Sequence, residues 1–115
     1  MANFMYLFRG TAGNWQQPSP EEMERLTKAW MSWMDRLRTD GHLVKTGERL
    51  NGNGTVVRGK AKTVTDGPFA EAKDVVVGYL LLQAGDLAEA VELAKGCPNL
   101  ESGGAVEVRP IVSMS

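Results

Sequence analysis

Ser19-Pro20-Glu21-Glu22 opens the element that most constrains this chain. A hydroxyl stands at the capping position, proline at the first helical position and glutamate three residues after the cap. Met23, Leu26, Trp30, Trp33, Met34 and Leu37 then share one helical face of about 100°, and Glu24, Lys28, Ser32 and Asp35 take the other. Glu21–Arg25 and Glu24–Lys28 stand in the favourable i,i+4 order. Arg36 and Arg38 fall in the last turns, before a Gly41 placed to end the helix in the left-handed region. The spacing predicts a helix of about 20 residues and roughly 30 Å. It has one apolar stripe, so it must lie on a single layer of something else.

That layer reads as a sheet. Residues 4–8 are five consecutive apolar side chains, too short a run for a buried helix. Residues 43–50 read as a second strand. The turn formers Asn51-Gly52-Asn53-Gly54 precede a short hairpin of residues 55–58 and 61–65 about Gly59-Lys60. Residues 75–82, with three valines, suggest a central strand. Asp86 caps a second helix whose inner stripe is Leu87, Ala90, Val91 and Ala94, with Gly96 and Pro98 ending it. A last strand, residues 105–112, meets Pro110, which cannot donate to a ladder and marks an edge or an end. The order predicts an α+β, ferredoxin-like antiparallel sheet with two helices on one face and an inserted β-hairpin. Two helices cover only one face of four strands, so the open face is expected to meet a second copy, giving a homodimer.

Composition bounds the rest. With 115 residues the chain suffices for one domain, read as residues 1–115. A hydrophobic fraction of 43% and a charged fraction of 23% exclude wholesale disorder. A net charge of −1 argues against a nucleic-acid coat protein. Residues 36–62 nevertheless carry seven basic side chains, against eight acidic and three basic in 66–115. The basic hairpin region is therefore expected to complement an acidic patch on a partner. The lone Cys97 supplies neither an internal disulfide nor a multi-thiolate zinc site. No apolar run reaches the ~20 residues of a membrane span. The first residues lack a basic, then apolar, signal pattern. A cytoplasmic protein without membrane association is expected. Motifs for phosphate loops, dinucleotides, zinc proteases and Cys-x-x-Cys chemistry are all missing from the sequence, so no cofactor and no metal are expected.

Val64-Thr65-Asp66-Gly67-Pro68-Phe69-Ala70-Glu71-Ala72-Lys73 closely resembles the signature of the DGPF proteins, a branch of the YCII-related family. The early strand, Trp15 followed by Ser19-Pro20-Glu21-Glu22, Leu37-Arg38-Thr39-Asp40-Gly41, Gly78-Tyr79 and Glu107-Val108-Arg109-Pro110 agree with it in order and spacing. Ala72 and Asp74 stand where members usually have threonine and glutamate. The resemblance implies a dimeric ferredoxin-like domain of the α/β-barrel type. It implies no particular activity, although some members are encoded near, or fused to, extracytoplasmic-function sigma factors. The broader group is thought to include enzymes using a His–Asp pair. The single His42 does not match that motif and reads as a surface or helix-end residue, so the dyad is not carried over.

Several side chains carry two readings each. Asp66 either caps an Asx-type turn, with Gly67 and Pro68 setting dihedrals and Phe69 plugging the core, or lies at a pocket rim as a proton-transfer group. Glu71 is the alternative proton-transfer residue. Lys73 either sits in a solvated loop or binds a substrate carboxylate. Glu107 and Arg109 share one face of the last strand. They form a brace if mutually satisfied, and an anion site if Arg109 is only half satisfied. Trp15 either staples the helix start or caps a pocket; Trp30 and Trp33 read as core anchors. Two functions follow. One binds or transforms a small polar organic metabolite in a cleft between sheet and helices near the DGPF loop. The other is a non-catalytic regulatory or interaction module, linked to a sigma-factor system, with a protein partner.

Overall fold

The computed structural model describes residues 1–10, 19–51, 54–67 and 74–113. In chain order it contains β1 (Ala2–Gly10), α1 (Pro20–Thr39), β2 (Leu43–Arg49), β3 (Gly54–Arg58) and β4 (Thr63–Gly67). There follow β5 (Val75–Ala84), α2 (Leu87–Ala94), a 3₁₀ turn (Pro98–Leu100) and β6 (Ala105–Pro110). Four strands form an antiparallel sheet in the order β2-β5-β1-β6, while β3 and β4 pair, among the described residues, only with each other. Strand–helix–strand halves with β1 and β5 central give the ferredoxin-like α+β topology.

The ends of α1 follow from local chemistry. The Ser19 hydroxyl accepts from the Glu22 N–H at 3.2 Å, and Pro20 occupies the first turn. At the other end Gly41 adopts φ +79°. The His42 N–H then reaches the Leu37 carbonyl and the Gly41 N–H reaches that of Arg38. This pair of bonds satisfies carbonyls that would otherwise be orphaned. Glu24 pairs with Lys28 as the spacing predicts, but Arg25 takes Glu22 rather than Glu21. Both acids lie one turn away, and three-residue spacing serves as well as four.

Strand alternation builds the core. Phe4, Tyr6 and Phe8 on β1 and Leu80, Leu82 and Ala84 on β5 turn to the helices and are buried with Trp33, Leu37, Ala90, Ala94 and Cys97. Tyr6 stacks on Trp33 with centroids 5.9 Å apart, and Phe8 meets Trp30 edge-on at 5.0 Å. The Tyr6 hydroxyl donates to the Ala90 carbonyl of α2. Between sheet and helices the described side chains thus pack as an aromatic and aliphatic core, while residues 68–73, the loop beside which a ligand cleft is expected, lie outside the described residues. A beta-bulge between Phe8 and Arg9 ends the regular alternation.

α2 departs from its expected stripe. Asp86 caps it, accepting from the Glu89 N–H at 2.9 Å. Ala90 and Ala94 are buried, but Leu87 and Val91 are 47% and 38% exposed. In eight residues, two alanines let the helix lie close on the sheet. The bulkier pair is rolled out toward β6.

Candidate functional site

Both helices lie on one face of the sheet, and the Cα framework is only 19 Å deep along its thinnest axis. Among the described residues that depth holds one sheet and one helix layer. The opposite, open face carries the other half of each alternation. Met5 and Leu7 on β1 lie beside Leu81 and Tyr79 on β5, all half-buried. On the β6 side Leu7 pairs with Glu107 and Met5 with Arg109. Val106 and Val108 pack toward the core, so Glu107 and Arg109 point to the open face.

An ion-pair chain runs along this edge. Arg9 donates from Nε to Asp74 Oδ1 at 2.7 Å, from Nη2 to the Asp74 carbonyl at 3.2 Å and from Nη1 to Glu107 Oε1 at 2.7 Å. Glu107 Oε2 accepts from Arg109 Nη1 at 3.0 Å. Hydrogen bonds from Arg109 and then Arg9 hold the Glu107 carboxyl below its ordinary range. The two carboxylates, Asp74 first, hold Arg9 more firmly protonated. Arg9 uses all three of its nitrogens and acts as a brace between β1, β5 and β6. Arg109 does not. It is 65% exposed and gives Glu107 only Nη1. Among the described residues its Nε and Nη2 have no partner.

A pH dependence follows. A carboxyl whose folded pKa is depressed stabilises the fold above its unfolded value of about 4.3, and that stabilisation is lost as pH falls through the folded value. Wild type should therefore melt above Glu107→Gln by a constant margin from about pH 5 upward, and the margin should close below about pH 4. Melting curves across this range check it; a margin that persists at acid pH would mean that Glu107 acts by packing alone.

Of the residues selected from sequence, the structure brings together Glu107 and Arg109. Asp66 is elsewhere. It lies exposed on β4, opposite Thr55 in the two-stranded ladder, with Gly67 opposite Gly54. Trp15, Pro68, Phe69, Glu71 and Lys73 lie outside the described residues. His42 Nδ1 donates to the Gln83 carbonyl at 2.9 Å, which assigns its tautomer. Among the described residues no group of His, Cys, Asp or Glu is placed to hold a metal ion. No described helix is long and apolar enough to cross a membrane. Burial pushes the Cys97 thiol up to about 12. Sequence reasoning missed Arg9. Its one signal was its place two residues beyond Leu7, on the same strand face as Met5.

Comparison with known proteins adds a family. The model of the YCII-related domain matches residues 4–115. A protein of Rhizobium meliloti (strain 1021), itself described as uncharacterized, is 43% identical over 49 residues, or 42% of this chain. That match spans 40% of the relative's length.

Proposed function

Because the chain belongs to the YCII-related domain family, we propose that it is a small α+β domain that binds or transforms a small polar organic acid on the open face of its sheet. We place it in the DGPF branch on Asp66-Gly67-Pro68-Phe69 and read it as a homodimer through that face. The observation that carries the reading is the half-used guanidinium of Arg109. Glu107 anchors one nitrogen and leaves the Nε–Nη2 edge as a planar, two-pronged donor matched to a carboxylate. Met5, Leu7, Tyr79 and Leu81 offer an apolar floor beside it for the ligand's carbon skeleton. Lys73 is the second anion contact in this reading. Asp66 or Glu71 serves proton transfer, and Trp15 covers the ligand.

A thermal-shift screen of the purified chain against small carboxylic acids, lactones, phenols and their phosphates tests it. A ligand at about 100 times its dissociation constant adds roughly 2.7 kcal/mol, several degrees in a domain of this size. Arg109→Ala should abolish the shift while leaving the unliganded melting point nearly unchanged, because its ion pair is exposed. Arg109→Lys should recover only part of it, keeping the charge without the fork. An undiminished shift in Arg109→Ala would sink the assignment. An exposed apolar groove beside α2 favours a second reading, a non-catalytic interaction module. Silence across the whole screen would leave that one standing.

A further inference from the structure

Across the strands, the open face carries a second positive pole. Directly opposed residues of an antiparallel pair point to the same side of the sheet. Arg109 on β6 stands opposite Met5 on β1, Met5 opposite Leu81 on β5, and Leu81 opposite Lys45 on β2. These residues form one transverse row from edge to edge of the four-stranded sheet. Leu43 packs toward the core, and the register shift between it and Lys45 turns Lys45 to the open face. Gly47, two residues further along β2, lies against Tyr79 of the same face.

The row is cationic at both ends and apolar between them. Arg109 keeps its Nε–Nη2 edge unused, and the exposed Lys45 ammonium has no partner among the described residues. The next row runs from Glu107 through Leu7 and Tyr79, and Gly47 at its β2 end has no side chain. On the other flank Asn3 stands opposite Gln83, a polar pair that bounds the apolar strip. Three strand spacings put Arg109 and Lys45 about 14 Å apart at the backbone. Both side chains are long, so a modest inward lean over Met5 and Leu81 sets their charges roughly 8–12 Å apart.

We propose that the organic acid of this face is a dicarboxylate with an apolar spacer, lying across the strands with one carboxylate on Arg109 and the other on Lys45. The inference rests on the reading of Arg109 as an acid-binding residue and adds Lys45 as the distal contact. With carbon–carbon bonds of ~1.5 Å, an extended spacer of about six to eight methylenes matches the span. A shorter diacid cannot reach both ends. A hydroxylated spacer would set polar groups on Met5 and Leu81 without partners, at a desolvation cost. A partner copy stacked on the same face would close over the spacer and exclude water from it.

Calorimetric titration of the full chain with decanedioate, its monomethyl ester and butanedioate tests it. The ester keeps the length and loses one charge. A second carboxylate brings only desolvation cost unless a cation meets it, so a tighter diacid reports a second cation. Decanedioate should bind about three- to fivefold more tightly than the ester, the upper range for an exposed ion pair, and butanedioate more weakly than either. The advantage should shrink at about 0.5 M salt. Lys45→Gln should remove it while leaving the ester's affinity and the unliganded melting point as in wild type, and Lys45→Arg should keep it. Arg109→Ala should weaken both acids. Equal affinity for diacid and ester, with both lost in Arg109→Ala, would overturn the dicarboxylate and leave Arg109 as the acid-binding residue. An advantage that survives Lys45→Gln would overturn it by putting the second cation elsewhere. No binding of any probe would remove the proposal together with the reading beneath it.

Discussion

Replacing Trp33 with alanine is expected to cost about 3–5 kcal/mol, the range for deleting a large aromatic from a packed core. Trp33 is 3% exposed, stacks on Tyr6 and meets Phe8 and Trp30 edge-on. Its indole N–H donates to the Leu93 carbonyl at 3.2 Å, tying α1 to α2 across the core. The loss thus combines transfer of the ring, a cavity between three aromatics, and one helix-to-helix hydrogen bond. For a domain of this length the melting point should fall by roughly 10–25 °C. Trp30→Ala is the comparison. Trp30 is only half-buried and touches the core mainly through Phe8 and Trp33, so it should cost clearly less. Equal losses at the two positions would mean that the stacked Tyr6–Trp33 pair is not the centre of the core.

These two tryptophans also mark where sequence reasoning is strongest. Their 3.6-residue spacing, the Ser19-Pro20 start and the Gly41 stop are all written within one helix. The structure reproduces each of them. The four strands of the main sheet were legible for the same reason, since short apolar runs bounded by turn residues carry their own boundaries. α2 shows the limit. Leu87, Ala90, Val91 and Ala94 form a stripe on paper, but two turns define its direction only loosely. The contact with β5 and β6 then selects the alanines. The sequence puts the hairpin turn at Gly59-Lys60, and the structure extends it through Lys62, whose φ of 56° no lysine advertises.

The candidate site was half legible. Glu107 and Arg109 follow from the period of two along a strand, and so does their common face. Which face it is depends on where Val106 and Val108 find their partners, and those lie in other elements. Arg9 is bound to Asp74 and Glu107, residues 65 and 98 positions away in the chain. No local pattern encodes such a pairing. It arises when antiparallel registers bring three strand ends together. The motif residue Asp66 makes the converse point. It is conspicuous in sequence, yet the hairpin that carries it is a sheet apart from the one bearing Arg109.

Gly47→Ala should destabilise the protein by about 1–3 kcal/mol, although alanine for glycine in a strand ordinarily gains a few tenths to 1 kcal/mol. The sign reverses because β2 passes under Tyr79. A β-carbon at position 47 would overlap the Tyr79 carbonyl oxygen and ring atom Cδ2, and would lie 2.6 Å from Cε2. A ring can swing away, but a carbonyl inside the β5 ladder cannot. The double variant Gly47→Ala/Tyr79→Ala should therefore recover little of the loss, and chemical denaturation of the four-member set measures it as a coupling energy. Full recovery would place the conflict in the ring alone. Because Tyr79 belongs to the apolar floor beside Arg109, the same substitution should also weaken any organic acid that stabilises the wild-type chain. Its effect on stability and its effect on binding then report one displacement, that of β5 away from β2 on the open face.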